Sequence, residues 1–566
     1  ATIYTLTGED AGFAPFIAAG FTDISNLVSG AAADVFLFQS AGRVTGGVDG
    51  GLGADTLDQA SLTSPIAVDL PAGTATRAGT IAGLETFVGG AGVNTFIGPA
   101  AGASWTINAV DAGSAGSFSF QNFANLVGGG GADVFTFTGA GTLTGVLDGA
   151  GGTDELRGPD ADVTYTIDAA GAGSATFLTG GFAAIEAITA GSGDDVFAIS
   201  GGGSVAGLLD GGAGDNRIDY TGFAGPVTVN LPAGSATAIG GFAGVDEFTG
   251  SANADTFIGT NADTAWTITG PNAGTAGPIA FSGFENLVSG SGNDSLTIDG
   301  GFIFGSFSAG AGTDTLEGGD FGNTWTLTGA GAGGVTGVGG GFTGVENLTG
   351  GDGADVFNLA GGSIAGALDG CAGSDALISG SFASTWNITG PGTGSVTGIP
   401  GGFTSIETIA GGNGADTFIF ADGINLTGVI DGGLGADIID LSAWTTAVTL
   451  DLALTQRIET IIGGSTSLDT LRGTNSDTTF TLTAPNAGVA AFGSTTLDFS
   501  GFENITAGAG NDVFVLSGSG ALDGAIDGSA GTNALAAADT VNAWNLSAPN
   551  AGTLTGLGGG DRKSVV

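Results

Sequence analysis

Short runs in which large apolar residues alternate with small polar ones recur along the whole chain. Examples are Trp266-Thr267-Ile268-Thr269 and Val227-Thr228-Val229-Asn230. A period of two with β-branched residues is typical of a strand that buries one face. Such a run returns about every ten residues, and the stretches between the runs are rich in glycine. The pattern therefore predicts many short strands joined by tight corners and no helix of useful length.

A second pattern gives the spacing of the corners. A glycine-rich run is followed by Asp or Asn, here called the anchor, and then by a small and a large apolar residue, as in GGGGADVF around Asp133 and GGNGADTF around Asp416. Neighbouring anchors are mostly about 20 or about 40 residues apart, which we interpret as one and two turns of a coil. The anchors are Asp34, Asp55, Asn94, Asp133, Asp154, Asp195, Asn216, Asp255, Asp294, Asp314, Asp355, Asp375, Asp416, Asp437, Asp469, Asp512 and Asn533.

Stacked turns of similar length predict an all-β fold, a parallel β-solenoid with about 20 residues per turn in a single elongated rod. One turn cannot bury its own apolar face, so neighbouring turns must provide the core. We predict that residues 1–560 form one continuous repeat array, which is a piece of a longer protein. Residues 561–566, DRKSVV, break every upstream pattern and resemble the translation of a sequencing adapter, so we interpret them as a non-native tail.

Composition and charge limit the classes of molecule that this chain is expected to bind. The net charge is −47, with only 8 Lys and Arg and no His, which excludes a nucleic-acid partner and favours cations. A hydrophobic content of 42% argues against disorder. The single Cys371 excludes an intrachain disulfide, and without a long apolar run we expect no insertion into a membrane.

The segments DGGLGADTLD at 49–58 and DGGLGADIID at 431–440 resemble the calcium-binding nonapeptide of the repeats-in-toxin family, GGxGxDxUx, in which U is a large apolar residue. Segments such as 229–259 are similar to repeats of large, adhesin-like extracellular bacterial proteins of that type. The resemblance implies glycine corners whose carbonyls face a calcium ion, with the Asp carboxylate completing the oxygen shell. It also implies a secreted protein that is associated with the cell surface.

One corner cannot supply the oxygens that Ca²⁺ needs, but two corners on adjacent turns can. The candidate metal ligands are therefore anchors spaced by about one turn: Asp133 with Asp154, Asp294 with Asp314, Asp355 with Asp375, Asp416 with Asp437, and Asp55 with the weaker corner at Asp34. The alternative is that these corners are purely structural, because Gly, Asp and Asn suit any sharp turn. The acids that begin a corner are either further ligands or turn starters: Asp49, Asp148, Asp210, Asp369 and Asp431.

Two further columns keep the phase of the repeat. Trp105, Trp266, Trp325 and Trp386 open alternating runs, so we predict a ladder in the core rather than a carbohydrate-stacking stripe. Acids recur about nine residues before an anchor and are expected to face solvent or to help hold cations. They are Glu85, Glu186, Asp246, Glu285, Glu346, Glu407 and Glu503.

The functional prediction is an extracellular or cell-surface structural or adhesive repeat module that folds on binding calcium, with cell-surface glycans or other copies of itself as further partners. We predict that it is not an enzyme, because His is absent, the arginines are scattered and no constellation of residues breaks the repeat. One alternative is a carbohydrate- or ice-binding β-solenoid with a threonine face. Another is the non-catalytic repeat portion of a secreted polysaccharide-active enzyme.

Overall fold

The fold was described from a computed structural model that covers residues 1–424, 428–466 and 468–537, together with the backbone of the strands Trp544–Ala548 and Ala551–Leu554. The predicted tail at 561–566 lies outside the described residues. Within them the regular structure is β-strand apart from one short 3₁₀-helix, Leu452–Leu454, which confirms the predicted all-β class. The chain divides into two compact units, the first comprising residues 1–259 and 273–286 and the second comprising 260–272 and 287–566.

The strands of the first unit are Ile3–Gly8, Ala11–Ala14, Ile17–Phe21, Asn26–Val28, Val35–Phe38, Gly47–Asp49, Thr56–Asp58, Ala67–Asp69, Thr74–Ala75, Gly79–Ala82, Thr86–Val88, Thr95–Ile97, Ser104–Ala109, Ala112–Ala115, Phe118–Gln121, Asn125–Val127, Val134–Phe137, Leu147–Asp148, Glu155–Arg157, Thr164–Ala169, Ala172–Ala175, Leu178–Ala183, Ala187–Thr189, Val196–Ile199, Val205–Asp210, Arg217–Asp219, Thr228–Asn230, Ser235–Ala236, Ile239–Ala243, Glu247–Thr249, Thr256–Ile258, Ala273–Ala276 and Ile279–Ser282.

The strands of the second unit are Ala265–Gly270, Asn286–Gly290 (whose first residue belongs to the first unit), Ser295–Ile298, Phe307–Gly310, Thr315–Glu317, Thr324–Gly329, Ala332–Val335, Val338–Thr343, Asn347–Thr349, Val356–Asn358, Leu368–Asp369, Ala376–Ile378, Thr385–Gly390, Thr393–Val396, Ile399–Thr404, Thr408–Ala410, Thr417–Phe420, Ile430–Asp431, Ile438–Asp440, Thr449–Asp451, Thr455–Gln456, Thr460–Ile462, Thr470–Arg472, Thr478–Ala484, Ala487–Phe492, Thr495–Ser500, Asn504–Thr506, Val513–Leu516, Ile526–Asp527, Ala534–Ala536, Trp544–Ala548 and Ala551–Leu554.

Each turn of a unit contributes a strand to two facing parallel sheets. In the first unit Val35–Phe38 pairs in parallel with Thr56–Asp58, which pairs in turn with Thr86–Val88. In the second unit Ser295–Ile298 and Thr315–Glu317 stack in the same way. Both units are therefore parallel β-solenoids, as predicted, whereas the continuity of the array across residues 1–560 stays a prediction.

The turns come in two lengths. Hydrogen bonds between equivalent corners of adjacent turns join residues 20–22 apart in compact turns and residues 28–34 apart in longer turns. The longer turns carry an antiparallel excursion, such as the pairing of Ser104–Ala109 with Ala112–Ala115 and of Ala112–Ala115 with Phe118–Gln121. The compact turns match the predicted length, and the longer turns exceed it because the chain makes a hairpin before it rejoins the sheet.

Anchors about 40 residues apart were expected to be separated by two turns, but in the structure they lie in different sheets. Asn94 precedes Thr95–Ile97 in one sheet, whereas Asp133 precedes Val134–Phe137 in the other sheet. Such a step therefore moves the anchor to the opposite corner of the solenoid and does not count two whole turns. The interpretation as two turns was wrong, because it overlooked the hairpin that lengthens the turn in between.

The core is a stack of aromatic and aliphatic side chains between the two sheets. Trp105, Trp266, Trp325 and Trp386 are at most 1% exposed. Three of them stack on a phenylalanine of the following turn, with ring centroids 5.0 Å apart for Trp105 and Phe135, 5.5 Å for Trp325 and Phe357, and 5.7 Å for Trp386 and Phe418. The tryptophan column is thus a core ladder, as predicted, and cannot serve as an exposed carbohydrate platform.

Candidate functional site

The anchors of adjacent turns are joined in a chain of hydrogen bonds, here called an anchor ladder. The backbone N–H of Asp133 donates to Oδ1 of Asp154 at 2.8 Å, and Oδ1 of Asp133 accepts from the backbone N–H of Ala103 on the preceding turn at 2.7 Å. The backbone N–H of Asp154 donates to Oε2 of Glu186 at 2.8 Å. Each carboxylate therefore fastens its own corner to the corner of the turn before it.

The predicted pairs of candidate ligands are brought together by these ladders. In each pair the N–H of the first anchor donates to Oδ1 of the second, at 2.6 Å for Asp34 and Asp55, 2.7 Å for Asp294 and Asp314, and 2.8 Å for Asp355 and Asp375 and for Asp416 and Asp437. Where the second anchor is an asparagine, its amide oxygen takes the same place, as Asn216 does for Asp195 at 3.0 Å. The contact between the two corners is thus independent of the charge on the second anchor.

The acidic column ends the ladders, a role that was not expected for it. Each of its members accepts the backbone N–H of an anchor through a side-chain oxygen: Glu85 from Asp55, Glu186 from Asp154, Asp246 from Asn216, Glu285 from Asp255, Glu346 from Asp314, Glu407 from Asp375 and Glu503 from Asp469. Glu459 does the same for Asp437 and was missed. Its place ten residues before the anchor Asp469, close to the nine of the other members, is the signal that could have found it.

The second oxygen of most anchors is enclosed. The aspartate anchors are at most 3% exposed. Among the described residues, Oδ2 is buried without a hydrogen-bond partner in Asp55, Asp154, Asp195, Asp294, Asp314, Asp355, Asp375, Asp416, Asp437, Asp469 and Asp512. Asp133 differs, because its Oδ2 accepts the backbone N–H of Gly129 at 2.9 Å. A buried polar atom without a hydrogen-bond partner costs free energy, so an unpartnered Oδ2 is energetically unfavourable in these ladders.

Burial shifts the pKa of nine of the aspartate anchors upward. Desolvation is the largest cause in each case and raises the pKa of Asp154, Asp195 and Asp437 to about 6. Nearby carboxylates act in the same direction, with Asp133, Glu186 and Asp148 around Asp154. Burial also raises the pKa of Asp294, Asp314, Asp355, Asp375, Asp416 and Asp512.

The acids that begin the corners act as turn starters. Oδ1 of Asp49, Asp148, Asp210, Asp369 and Asp431 accepts the backbone N–H two residues later, at 2.9–3.1 Å. This is the local bond with which Asp stabilises a turn. Arg457 also pairs with Asp431. The sequence left two roles open for these residues, further metal ligand and turn starter, and these hydrogen bonds support the role of turn starter.

A calcium ion takes about six to eight oxygen ligands, and some of the oxygens of the described corners already accept hydrogen bonds. One carboxylate oxygen of each ladder anchor already accepts an N–H, as in Asp154 and Asp437. Corner carbonyls are also engaged, since those of Gly129, Gly290 and Gly412 accept N–H groups of the next turn at 3.3, 3.1 and 2.7 Å. In the described residues no group of three or more His, Cys, Asp or Glu could hold a metal ion. Calcium binding at Asp55, Asp133, Asp154 and the other candidate ligands stays a prediction.

Among the described residues, no helix is long and apolar enough to cross a membrane. Neither the protein-family models nor the curated proteins contain a match to this chain.

Proposed function

We propose that this chain is a structural repeat module of a secreted or cell-surface protein, in which the anchor ladders hold successive turns together. The single observation that carries this proposal is the recurrence of the ladders in both units, from Asp34 and Asp55 in the first unit to Asp512 and Asn533 in the second. The most distinctive polar residues of the repeat are thereby used to join one turn to the next.

The few basic residues are consistent with this role. In the described part of the chain, Arg43, Arg157, Arg217, Arg457 and Arg472 each lie within 4 Å of a carboxylate oxygen. Arg77 donates to the carbonyl oxygen of Ser40 at 2.7 Å. These arginines are spread over separate turns, so they neutralise local acids instead of forming one centre that could stabilise a developing charge.

The alternative of a threonine face for ice or glycans receives less support. In the first unit the outward row that begins with Thr106 continues through Thr136 to Arg157 and Thr189 in register. Glu155 and Arg157 form an ion pair on this face, with the Arg157 Nε and Glu155 Oε1 atoms 2.9 Å apart. A charged pair interrupts the flat array of hydroxyl groups that such binding would need.

The location is tested by protease treatment of intact source cells, followed by detection of the chain with an antibody raised against residues 1–537. Digestion of the chain while a cytoplasmic marker stays intact is the expected result. Full protection in intact cells, with digestion only after lysis, would refute a surface or secreted location. Incubation with acidic and neutral polysaccharides provides the second arm, in which a release of shortened or unsaturated products would refute a purely structural module.

A further inference from the structure

A five-residue segment recurs beside the hairpins of both units and is here called the bridge segment. It consists of a glycine, a variable residue, a buried aliphatic residue, a second variable residue and a glycine, and it occupies residues 42–46, 141–145, 203–207, 301–305, 362–366 and 520–524. In each case the first variable residue forms a parallel β-bridge with the turn of the preceding hairpin. The six segments therefore hold equivalent places in the fold and can be compared position by position.

The two variable residues are small or polar in five of the six bridge segments. These pairs are Arg43 and Thr45, Thr142 and Thr144, Ser204 and Ala206, Ser363 and Ala365, and Ala521 and Asp523. The sixth segment has Phe302 and Phe304 instead, which are 36% and 66% exposed. Their rings meet edge to face, with ring centroids 5.0 Å apart. One bridge segment thus presents an exposed aromatic pair where the others present small or polar side chains.

Phe304 also lacks a hydrogen bond that other bridge segments make at this position. In two of them the second variable residue is a threonine that donates through Oγ1 to an aspartate of the hairpin turn. Thr45 donates to Oδ2 of Asp10 and Thr144 donates to Oδ2 of Asp111, both at 2.6 Å. A phenylalanine at this place loses that bond and exposes apolar surface. Departures of this kind from a local rule are expected mainly at functional sites.

The hairpin turn against which the aromatic pair lies is uncharged. Phe302 forms its bridge with Pro271, and the N–H of Phe304 donates to Oδ1 of Asn272 at 2.9 Å. The equivalent turn of the first hairpin carries two acids, at residues 9–10. A cationic group that bound to the two rings would therefore gain no carboxylate from this turn, and the place favours an uncharged ligand.

The following turn leaves the flank of Phe304 open. Ile303 bridges in parallel to Val338, and its carbonyl oxygen accepts the N–H of Gly339 at 2.9 Å. Gly339 and Gly340 come directly after Val338, and both are exposed. Because neither glycine has a side chain, the aromatic pair continues into a flat stretch of backbone on the next turn.

We propose that this surface, formed by Pro271, Phe302, Phe304, Gly339 and Gly340, is a platform that binds a neutral glycan. The face of a phenyl ring carries negative partial charge, which attracts the weakly polarised C–H groups on the face of a sugar ring. The net charge of −47 opposes the approach of an acidic glycan and of a second copy of the chain. This binding goes beyond the proposed structural function and does not depend on the anchor ladders.

Three double variants of the full chain test the proposal. Phe302→Ser with Phe304→Ala removes the rings and installs the Ser and Ala pair of two other bridge segments, which the repeat already accommodates. Phe302→Tyr with Phe304→Tyr keeps both ring faces. The matched control is Phe321→Ala with Phe382→Ala, which removes two phenylalanines of the same unit that are 45% and 50% exposed and lie outside the platform.

Binding is measured by electrophoresis of each chain through native gels that contain a dextran, a mannan or a galactan as neutral polysaccharide, or alginate as the acidic one. Far-UV circular dichroism checks the fold of every variant, and sedimentation velocity reports self-association of the unaltered chain.

At least one neutral polysaccharide should retard the unaltered chain, the tyrosine variant and the control, whereas alginate should not. The variant with Ser and Ala should bind about tenfold more weakly, because both ring contacts are lost. The proposal would be overturned if no neutral polysaccharide retarded the unaltered chain, if alginate retarded it equally, or if the tyrosine variant or the control lost as much binding as the variant with Ser and Ala. Self-association that the Ser and Ala pair abolishes, without any binding of polysaccharide, would instead assign the platform to a second copy of the chain.

Discussion

The glycine that precedes an anchor by five residues is required by a close approach and not by its backbone angles. A Cβ on Gly149 would stand 2.0 Å from the carbonyl oxygen of Ala184 and 2.7 Å from Oδ2 of Asp154. Gly370 has the same surroundings, with the carbonyl oxygen of Ser405 at 2.1 Å and Oδ2 of Asp375 at 2.8 Å. The Cα hydrogens of these glycines lie against both oxygens, a contact that adds a small attraction and leaves no room for a methyl group.

Gly149→Ala is therefore expected to lower the free energy of unfolding by about 1–3 kcal/mol, because the added methyl group must displace backbone. The matched control is Gly202→Ala in the same unit, where nothing lies within 4 Å of the added Cβ. Urea denaturation of both variants checks this. Equal midpoints for Gly149→Ala and the unaltered chain would contradict the packing described around Asp154.

At the scale of the element, several hairpin turns are fastened to the sheet by an aromatic residue at their start. Trp325 begins the alternating part of Thr324–Gly329, which pairs in parallel with Val356–Asn358, and its ring stacks on Phe357. Tyr165 on Phe197 and Phe480 on Phe514 repeat the stack at 5.1 and 5.3 Å. The stack needs a flat ring and does not need the indole nitrogen, since Nε1 of Trp325 is buried without a partner.

Trp325→Ala is expected to cost about 3–5 kcal/mol through the cavity it leaves, and to increase hydrogen exchange most strongly in residues 324–358, because turns of a solenoid depend mainly on their neighbours. Trp325→Phe keeps the stack and should cost much less, as Phe480 occupies the same place elsewhere in the chain. A loss from Trp325→Phe as large as that from Trp325→Ala would contradict the role given to ring stacking.

The strands, the corners and the pairing of anchors could be predicted from the sequence because they follow local patterns. The alternation around Trp266 and the spacing of Asp133 and Asp154 directly reflect the period of a strand and the length of a compact turn. The return strands of the hairpins could not be predicted, because segments such as Ala112–Ala115 consist of Ala, Gly and Ser and have no apolar alternation.

The role of the acidic column was equally hidden in the sequence. Glu186 accepts the N–H of Asp154 across 32 residues, and the length of the intervening hairpin has no marker in the sequence. The donor of each ladder bond is a backbone N–H, which does not depend on the residue type. The sequence therefore does not show which N–H each acid accepts, and the pairing is seen only in the stacked turns. The regular recurrence of the acids was the one local sign of this function.

At the scale of the whole molecule, the raised pKa values of buried anchors couple stability to pH. Asp154, Asp195 and Asp437 have a pKa of about 6 in the folded chain, whereas an unfolded aspartate titrates near about 3.9. The folded state therefore binds more protons between these values, and the free energy of unfolding falls as the pH rises through about 6.

The thermal midpoint is accordingly expected to be higher at pH 5 than at pH 8. General charge repulsion in a chain with a net charge of −47 acts in the same direction, so a variant that carries Asp154→Asn, Asp195→Asn and Asp437→Asn together separates the two causes. It should show a smaller difference between pH 5 and pH 8 than a variant with three exposed acids replaced, Asp160→Asn, Asp320→Asn and Asp352→Asn. Equal differences in the two variants would remove the buried anchors as the cause.

The central claim is that the hydrogen bonds between anchors and backbone suffice to hold the turns together. Far-UV circular dichroism and a melting curve of the full chain in EDTA, in millimolar CaCl₂ and in millimolar MgCl₂ test it most directly. The account predicts the same β spectrum in all three solutions and no rise of the melting temperature that is specific to calcium. A β spectrum or a raised melting temperature that appears with calcium alone would contradict it and would make the paired corners at Asp133 and Asp154 and at Asp416 and Asp437 calcium sites.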